Sequence, residues 1–360
     1  MAKYAGKDVI PLWVADTDFM SPPSIIKALQ ERVAEGIFGY GGQPKTSANA
    51  FINWAAKHYA WSVKEEWLVF LPGVVSGLNI ALRAFTDETQ ASIAPHLIYP
   101  PFMAAANRVN RAQRYASLAI SHHRWIMNLT TLQLLGNEKL LMLCNPQNPG
   151  GTVYTKDELL AQLAFAQAHD LVVCSDEIHC DLVLAPNLKH IPFASLNTDA
   201  AARSITLMAP SKTFNIAGLG ASIAIIPNAK LKKQFQKTLE GVVPELNILA
   251  YSAAIAAYND QSSWLPDQIT YLRKNRDYVY QQINNMPGLN LLPIEASYLA
   301  WIDASQLPVD NPQKFFEKAG VGLSDGHAFG KDKFIRLNFG CSKILLEEAL
   351  QRMQQAINKL

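Results

Sequence analysis

The chain is poor in the features that would tie it to a membrane, a nucleic acid or an oxidising compartment. It has four cysteines in 360 residues (Cys144, Cys174, Cys180 and Cys341), with neither CxxC nor metal-ligand spacing. That pattern excludes a disulfide scaffold and predicts reduced thiols in a cytoplasmic protein, with no metal site. Charge of either sign is not in excess: 32 Lys and Arg face 30 Asp and Glu, a net of +2, with no basic or acidic tail. Nucleic acid and anionic membrane surfaces are therefore not expected partners. Long apolar runs are missing, because Pro and Gly break them before they could span a bilayer. The opening residues 1–8 carry no apolar stretch of the signal-peptide kind. No repeat or low-complexity segment interrupts the chain.

What is present is a large apolar fraction, 49% of residues, enough for a sizeable core and for more than one domain. Seven short segments read as strands: residues 67–71, 96–99, 115–120, 140–144, 171–175, 204–208 and 221–226. Several are near-continuous apolar runs, and helical patterns at 74–85, 102–111 and 156–169 separate some of them. Buried strands alternating with helices predict an α/β domain built on a mainly parallel seven-stranded sheet in an α/β/α sandwich. After about residue 251 the pattern changes to a long amphipathic helix at 265–285, short strands at 297–302 and 334–339, and a last helix at 342–358. This predicts a smaller α+β domain. The expected division is 1–41 as the N-terminal segment of the small domain, 42–253 as the large domain and 254–360 as the rest of the small one.

In such sheets, ligands bind beyond the C-terminal ends of the strands. Pro72-Gly73, Pro101-Phe102, Asn145 to Gly151, Asp176 to His179 and Lys212 all follow predicted strands and are expected to share one cleft. Pro72-Gly73 before a helix offers free N–H groups and a positive dipole end to an anion. Lys212 sits in Ala209-Pro210-Ser211-Lys212-Thr213-Phe214-Asn215 between two apolar runs. A lysine desolvated at the end of a buried sheet is a usable amine nucleophile. Taken alone, it reads equally well as a turn lysine. Asp176 at a strand end calls for a cationic partner, or serves as a cap. Arg336, near the C-terminus, lies in an apolar strand, where an unpaired guanidinium would be costly.

Together and in this order, these segments resemble the fold-type-I enzymes that use pyridoxal 5′-phosphate (PLP), the aspartate aminotransferase superfamily. Trp13-Val14-Ala15-Asp16-Thr17-Asp18-Phe19, Phe38-Gly39-Tyr40, Ser175-Asp176-Glu177-Ile178-His179 and Arg336-Leu337-Asn338-Phe339-Gly340-Cys341 resemble the C–S lyase branch, the MalY/PatB-type cystathionine β-lyases. The resemblance runs from about Asp8 to the C-terminus.

It implies PLP as cofactor, with Lys212 as the Schiff-base lysine and the base at Cα, Asp176 on the pyridinium nitrogen and Asn148 on the phenolic oxygen. His179 stands where many aminotransferases have a tyrosine. It further implies Phe102 stacked on the ring, with Val74, Val75 and Ser211 at the phosphate and Tyr40 reaching the phosphate from a neighbouring subunit, so that the active unit is a homodimer. Arg336 would hold the α-carboxylate of a small amino-acid substrate, with Trp13 and Ala15 closing over it. Ala209 and Gly220 stand where many relatives place a serine and an arginine on the phosphate. The implied reaction is α,β-elimination from L-cystathionine or an L-cysteine S-conjugate. Transamination needs the same lysine, aspartate and arginine, and a PLP-binding regulatory role is a further alternative.

Overall fold

A computed structural model describes residue 6 and residues 8–360; the rest of the opening segment read above lies outside the described residues. The centre of the molecule is an eight-stranded sheet. Across it the order is Leu68–Leu71, Ser222–Ile225, Ser204–Met208, Val172–Asp176, Glu138–Cys144, Ala91–His96, Ala112–Ser121, Arg124–Met127. The neighbours from Ser204–Met208 through Ala112–Ser121 pair in parallel, while Ser222–Ile225 runs antiparallel to both of its neighbours. The strands Ser204–Met208 and Ser222–Ile225 are buried along their whole length, as their apolar sequences demand.

Two strands differ from the sequence expectation. The strand expected at 96–99 is instead Ala91–His96, and Leu97, at φ 75°, turns the chain out of the sheet. Its Ala, Ser and Pro residues are weak strand formers, and burial on both faces overrides that weakness. Pro95 is tolerated because pairing with Glu138–Cys144 covers only residues 91–93. The eighth strand, Arg124–Met127, forms a hairpin with Ala112–Ser121 through His122 and His123, both at positive φ. Such turns are usually signalled by Asn-Gly, which is why the sequence concealed this one.

Helices cover the sheet. Val74–Phe85 packs so closely that a Cβ on Gly77 would meet the Leu207 side chain at 2.7 Å. Lys156–Ala168 starts on a reciprocal capping box between Thr155 and Glu158, a device worth about 1 kcal/mol. The helix expected at 74–85 has those bounds, and a further helix spans Lys45–Tyr59. The helix expected at 102–111 runs Pro100–Asn107.

A second layer of structure lies beyond Trp264–Asn284. A four-stranded antiparallel sheet has the order Asn290–Leu291, Leu299–Asp303, Phe334–Asn338, Ser324–Asp325 and shares a core with Trp264–Asn284 and Lys343–Ile357. The N-terminal segment joins this layer: Ile10–Pro11 pairs in parallel with Val321–Gly322, and Ile10 and Leu12 enter the same core. No helix among the described residues is long and apolar enough to cross a membrane.

Candidate active site

Three turns at the C-terminal edge of the parallel strands enclose a cavity of about 260 Å³. The first follows Leu68–Leu71 and brings Pro72, Gly73, Val74, Val75 and Ser76 to the wall. Gly73, at φ 122°, is the residue before the helix, and the helix has no side-chain cap. The N–H groups of Val74 and Val75 thus open onto the cavity with the positive end of the helix dipole. The second turn supplies Asp176, Ile178 and His179, and the third Ser211 and Lys212. Asn148 completes the set from the loop after Glu138–Cys144.

Lys212 is almost enclosed, and burial lowers its pKa; Asp16 opposes that shift and Arg336 adds to it. Its Nζ donates to the backbone carbonyl of Ala15 at 2.6 Å. Asp176 ends its strand fully buried, and burial pushes its carboxyl up to about 7, although Oδ1 accepts from the Ile178 N–H at 3.1 Å. No cationic side chain among the described residues forms an ion pair with it, although the Lys212 charge lies near enough to oppose the upward shift. His179 is driven down to about 3 by burial, with Lys212 and Arg336 adding to the effect. It is therefore neutral, and its buried Nδ1 has no hydrogen-bond partner.

Arg336, buried in Phe334–Asn338, stands behind Asn148. Its Nη1 donates to Asn148 Oδ1 at 3.0 Å, and its Nη2 donates to the Trp13 carbonyl at 3.0 Å and to Ser324 Oγ at 3.4 Å. The guanidinium lies over the Phe329 ring at 4.6 Å. Burial lowers its pKa to about 10. Among the described residues no carboxylate neutralises it, and Nε is unpartnered. A buried guanidinium without a counter-charge is costly unless a ligand anion completes it.

Residues 13–19 form a strap across the cavity mouth, held by its backbone. Asn338 Nδ2 donates to the carbonyls of Val14 at 2.5 Å and Asp16 at 2.6 Å. Asn215 Nδ2 donates to Thr17 and Phe19 carbonyls at 2.8 Å, and its Oδ1 accepts from the Thr17 N–H. The Tyr298 hydroxyl donates to the Ala15 carbonyl at 3.1 Å.

Of the residues singled out in the sequence, Ala15, Val74, Val75, Asn148, Asp176, His179, Ser211 and Lys212 line the cavity. Trp13 and Arg336 lie directly behind it. Phe102 does not reach it. Pro100 starts the helix, so Phe102 is the third helical residue and turns its ring into the fully buried core beside Ile98 and Ala105. Tyr99, the residue before that helix, lines the cavity in its place. The misplaced strand at 96–99 hid this, because it made Tyr99 a sheet residue. Tyr40 is fully exposed and does not line its own chain's cavity. The sequence reading also missed Ser76, Tyr298, Asn215 and Asn338. Asn338 was legible only as a member of the Arg336–Cys341 motif, with no role of its own read for it. Gly220 lines the wall at φ 76°, where a Cβ would meet the Pro72 carbonyl at 3.3 Å.

The profile of the family "Aminotransferase class I and II" matches residues 7–353. The chain belongs to that family. It is 36% identical to cystathionine beta-lyase PatB of Bacillus subtilis (strain 168) over 98% of its own length and 93% of that protein's. A crystal structure of OvoB superposes with a TM-score of 0.98 at 54% identity, covering 99% of this chain and 95% of that one. Cystalysin from Treponema denticola, crystallised with pyridoxal 5′-phosphate, gives a TM-score of 0.93 at 32% identity over 98% and 92% of the two chains. Ala209 and Gly220 stand where the sequence reading expected a serine and an arginine, and the Val74–Ser76 helix start lines the same cavity.

Proposed function

We propose that the chain is a PLP-dependent C–S β-lyase that splits L-cystathionine or another L-cysteine S-conjugate into a thiol, pyruvate and ammonia. The observation that carries this reading is a desolvated Lys212 in the cavity wall with a buried Arg336, unneutralised among the described residues, held directly behind Asn148 of the same wall. The residues fit the cofactor: among the described residues Asp176 has no ion-pair partner and His179 Nδ1 no hydrogen-bond partner, and two helix N–H groups open onto the wall. The cystathionine β-lyase relative and the PLP-containing neighbour support the same assignment.

When bound, PLP supplies a carbonyl for imine exchange and a conjugated ring that accepts an electron pair from the substrate Cα. Lys212 would hold the cofactor through Nζ. Asp176 would face the ring nitrogen and keep it protonated, gaining the counter-charge that its burial denies it. Tyr99 would lie against the ring. Asn148 has its Oδ1 occupied by Arg336, which leaves its amide N–H₂ to donate to the phenolic oxygen. The Val74 and Val75 N–H groups, with Ser76 and Ser211, would receive the phosphate.

Arg336 would clamp the substrate carboxylate, orienting the Cα–H bond toward Lys212. Lys212 Nζ would be the base that takes the Cα proton. The Cβ–S bond then breaks with its electron pair leaving on sulfur, and the ammonium of Lys212 can return the proton to the thiolate. The three-carbon enamine hydrolyses to pyruvate and ammonia. The strap over residues 13–19, which brings Ala15 to the wall, would keep water from the cavity during the proton transfer.

The active unit of this reading is a cytoplasmic homodimer. Four buried free cysteines suit a reducing compartment. Ile37, Phe38 and Tyr40 form an exposed apolar cluster suited to contact with a second copy, from which Tyr40 would reach the phosphate. The same reading divides the chain into 1–41, 42–253 and 254–360. Pairing of Ile10–Pro11 with Val321–Gly322 supports the first assignment, and the second boundary falls within the helix Ile248–Tyr258.

The test is an absorbance spectrum of the PLP-loaded protein followed by addition of L-cystathionine and assay of thiol and pyruvate. Stoichiometric release of both is expected. Bound PLP with no thiol release, accompanied by conversion to the pyridoxamine form by an amino donor, would replace elimination by transamination.

A further inference from the structure

The turn after Asp176 and the turn after Lys212 are joined behind the cavity by one carboxylate. Asp181 Oδ2 accepts from Thr213 Oγ at 2.8 Å, and Thr213 is the fully buried residue next to Lys212. Asp181 lies five positions beyond Asp176 in a turn closed by Cys180 N–H to the Glu177 carbonyl and Leu182 N–H to the His179 carbonyl. Its other oxygen, Oδ1, accepts from Trp54 Nε1 at 3.1 Å and from the Tyr59 hydroxyl. Both donors belong to the helix Lys45–Tyr59. Tyr59 also reaches Cys180 Sγ at 3.1 Å, and the Trp54 ring meets Phe214 edge-on at 5.6 Å. Asp181, Thr213, Trp54, Tyr59, Cys180 and Phe214 do not line the cavity, so none of the six is placed to touch a ligand there.

We propose that Asp181 is a positioning residue that fixes the Lys212 turn relative to the Asp176 turn, using Thr213 as its contact and the Trp54–Tyr59 helix as its anchor. A carboxylate suits this task because its two oxygens receive three donors, two from the helix Lys45–Tyr59 and one from the Lys212 turn. An amide at the same place offers only one acceptor oxygen. The lysine amine and the carboxyl of Asp176 must meet opposite ends of one rigid ring, so a small shift between the two turns misaligns one of them. This inference rests on the cofactor reading above.

The experiment uses the full chain stripped of cofactor. It measures the rate of PLP capture by absorbance, with borohydride fixation and peptide mass analysis to locate the attachment, in wild type, Thr213→Val, Asp181→Asn and Asp181→Ala. Melting temperature and the separate kcat and KM of the reloaded proteins are measured in parallel. Thr213→Val is expected to slow capture and lower kcat by about tenfold while KM stays within about twofold. Its melting temperature is expected to stay within about 3 °C of wild type. Asp181→Asn should fall between wild type and Asp181→Ala, since the amide can still donate to the Thr213 hydroxyl. Capture and kcat within twofold of wild type in Thr213→Val would overturn the proposal, as would losses in all three variants that follow melting temperature alone. Wild type that does not fix PLP at Lys212 would overturn the cofactor reading and this proposal with it. Wild-type capture with unaffected variants removes only the positioning role.

Discussion

Lys212 and Tyr298 donate to the same oxygen: Nζ reaches the Ala15 carbonyl at 2.6 Å and the tyrosine hydroxyl reaches it at 3.1 Å. A residue from the first sheet's rim and one from the second layer thus hold one point on the strap over the cavity. Tyr298 is fully buried, so its hydroxyl has little alternative solvation. Tyr298→Phe is expected to loosen the strap, raising KM for the amino-acid substrate about three- to tenfold with a smaller change in kcat. Steady-state kinetics of thiol release measures both. An unchanged KM would show that the strap does not depend on this bond.

Lys212→Ala removes the amine proposed both to carry the cofactor and to move the Cα proton. Thiol release is expected to fall by about 10³-fold or more, with the visible absorbance of the bound cofactor lost or displaced. Added methylamine should restore part of the rate if the proton transfer reading is right.

Arg336 supplies two parallel donors from a buried guanidinium, and a lysine there supplies only a point charge. Arg336→Lys is expected to raise KM roughly ten- to hundredfold for amino-acid substrates. Cofactor binding, measured by fluorescence titration, should change by much less. Equal losses in both would assign Arg336 to the cofactor.

Asp176 gives a pH signature in the cofactor-free protein. Its folded pKa, about 7, is raised above the ordinary 3.8, so the native state holds the proton more tightly than the unfolded state. The sign follows: the contribution of Asp176 to stability is full below about pH 4 and is lost as pH rises through 7. Asp176→Asn should therefore stabilise the cofactor-free protein at pH 8 relative to wild type, by up to a few kcal/mol (~1.4 kcal/mol per unit), and by much less near pH 4. Urea unfolding at the two pH values checks this, and a difference that grows toward acid would refute it.

Gly220 occupies φ 76° against the Pro72 carbonyl. Gly220→Ala is expected to destabilise the fold by about 1–2 kcal/mol in urea unfolding. PLP affinity should also weaken, because the displaced Pro72 leads directly into the Val74 helix start. A neutral substitution would show that the wall at this point yields.

The order of apolar strands and helical patterns determined the α/β class by itself, because burial on both faces leaves a continuous apolar run that local sequence cannot disguise. Strand ends also pointed to one rim, and so to Asn148, Asp176 and Lys212 as neighbours. Tertiary structure decided the rest. Burial made a strand of Ala91–His96 despite its composition, and this moved Tyr99 to the cavity and Phe102 into the core. The His122–His123 hairpin carried no usual turn signal. Tyr298, Asn215 and Asn338 act on backbone carbonyls about 200 to 320 residues away in sequence, and such partners leave no local periodicity to read. Lys212 could be read from the sequence as either a turn residue or a nucleophile. Its enclosure, and the Ala15 carbonyl waiting for its amine, come only from the folding of the strap across the sheet, which sets the local dielectric that a linear sequence does not specify.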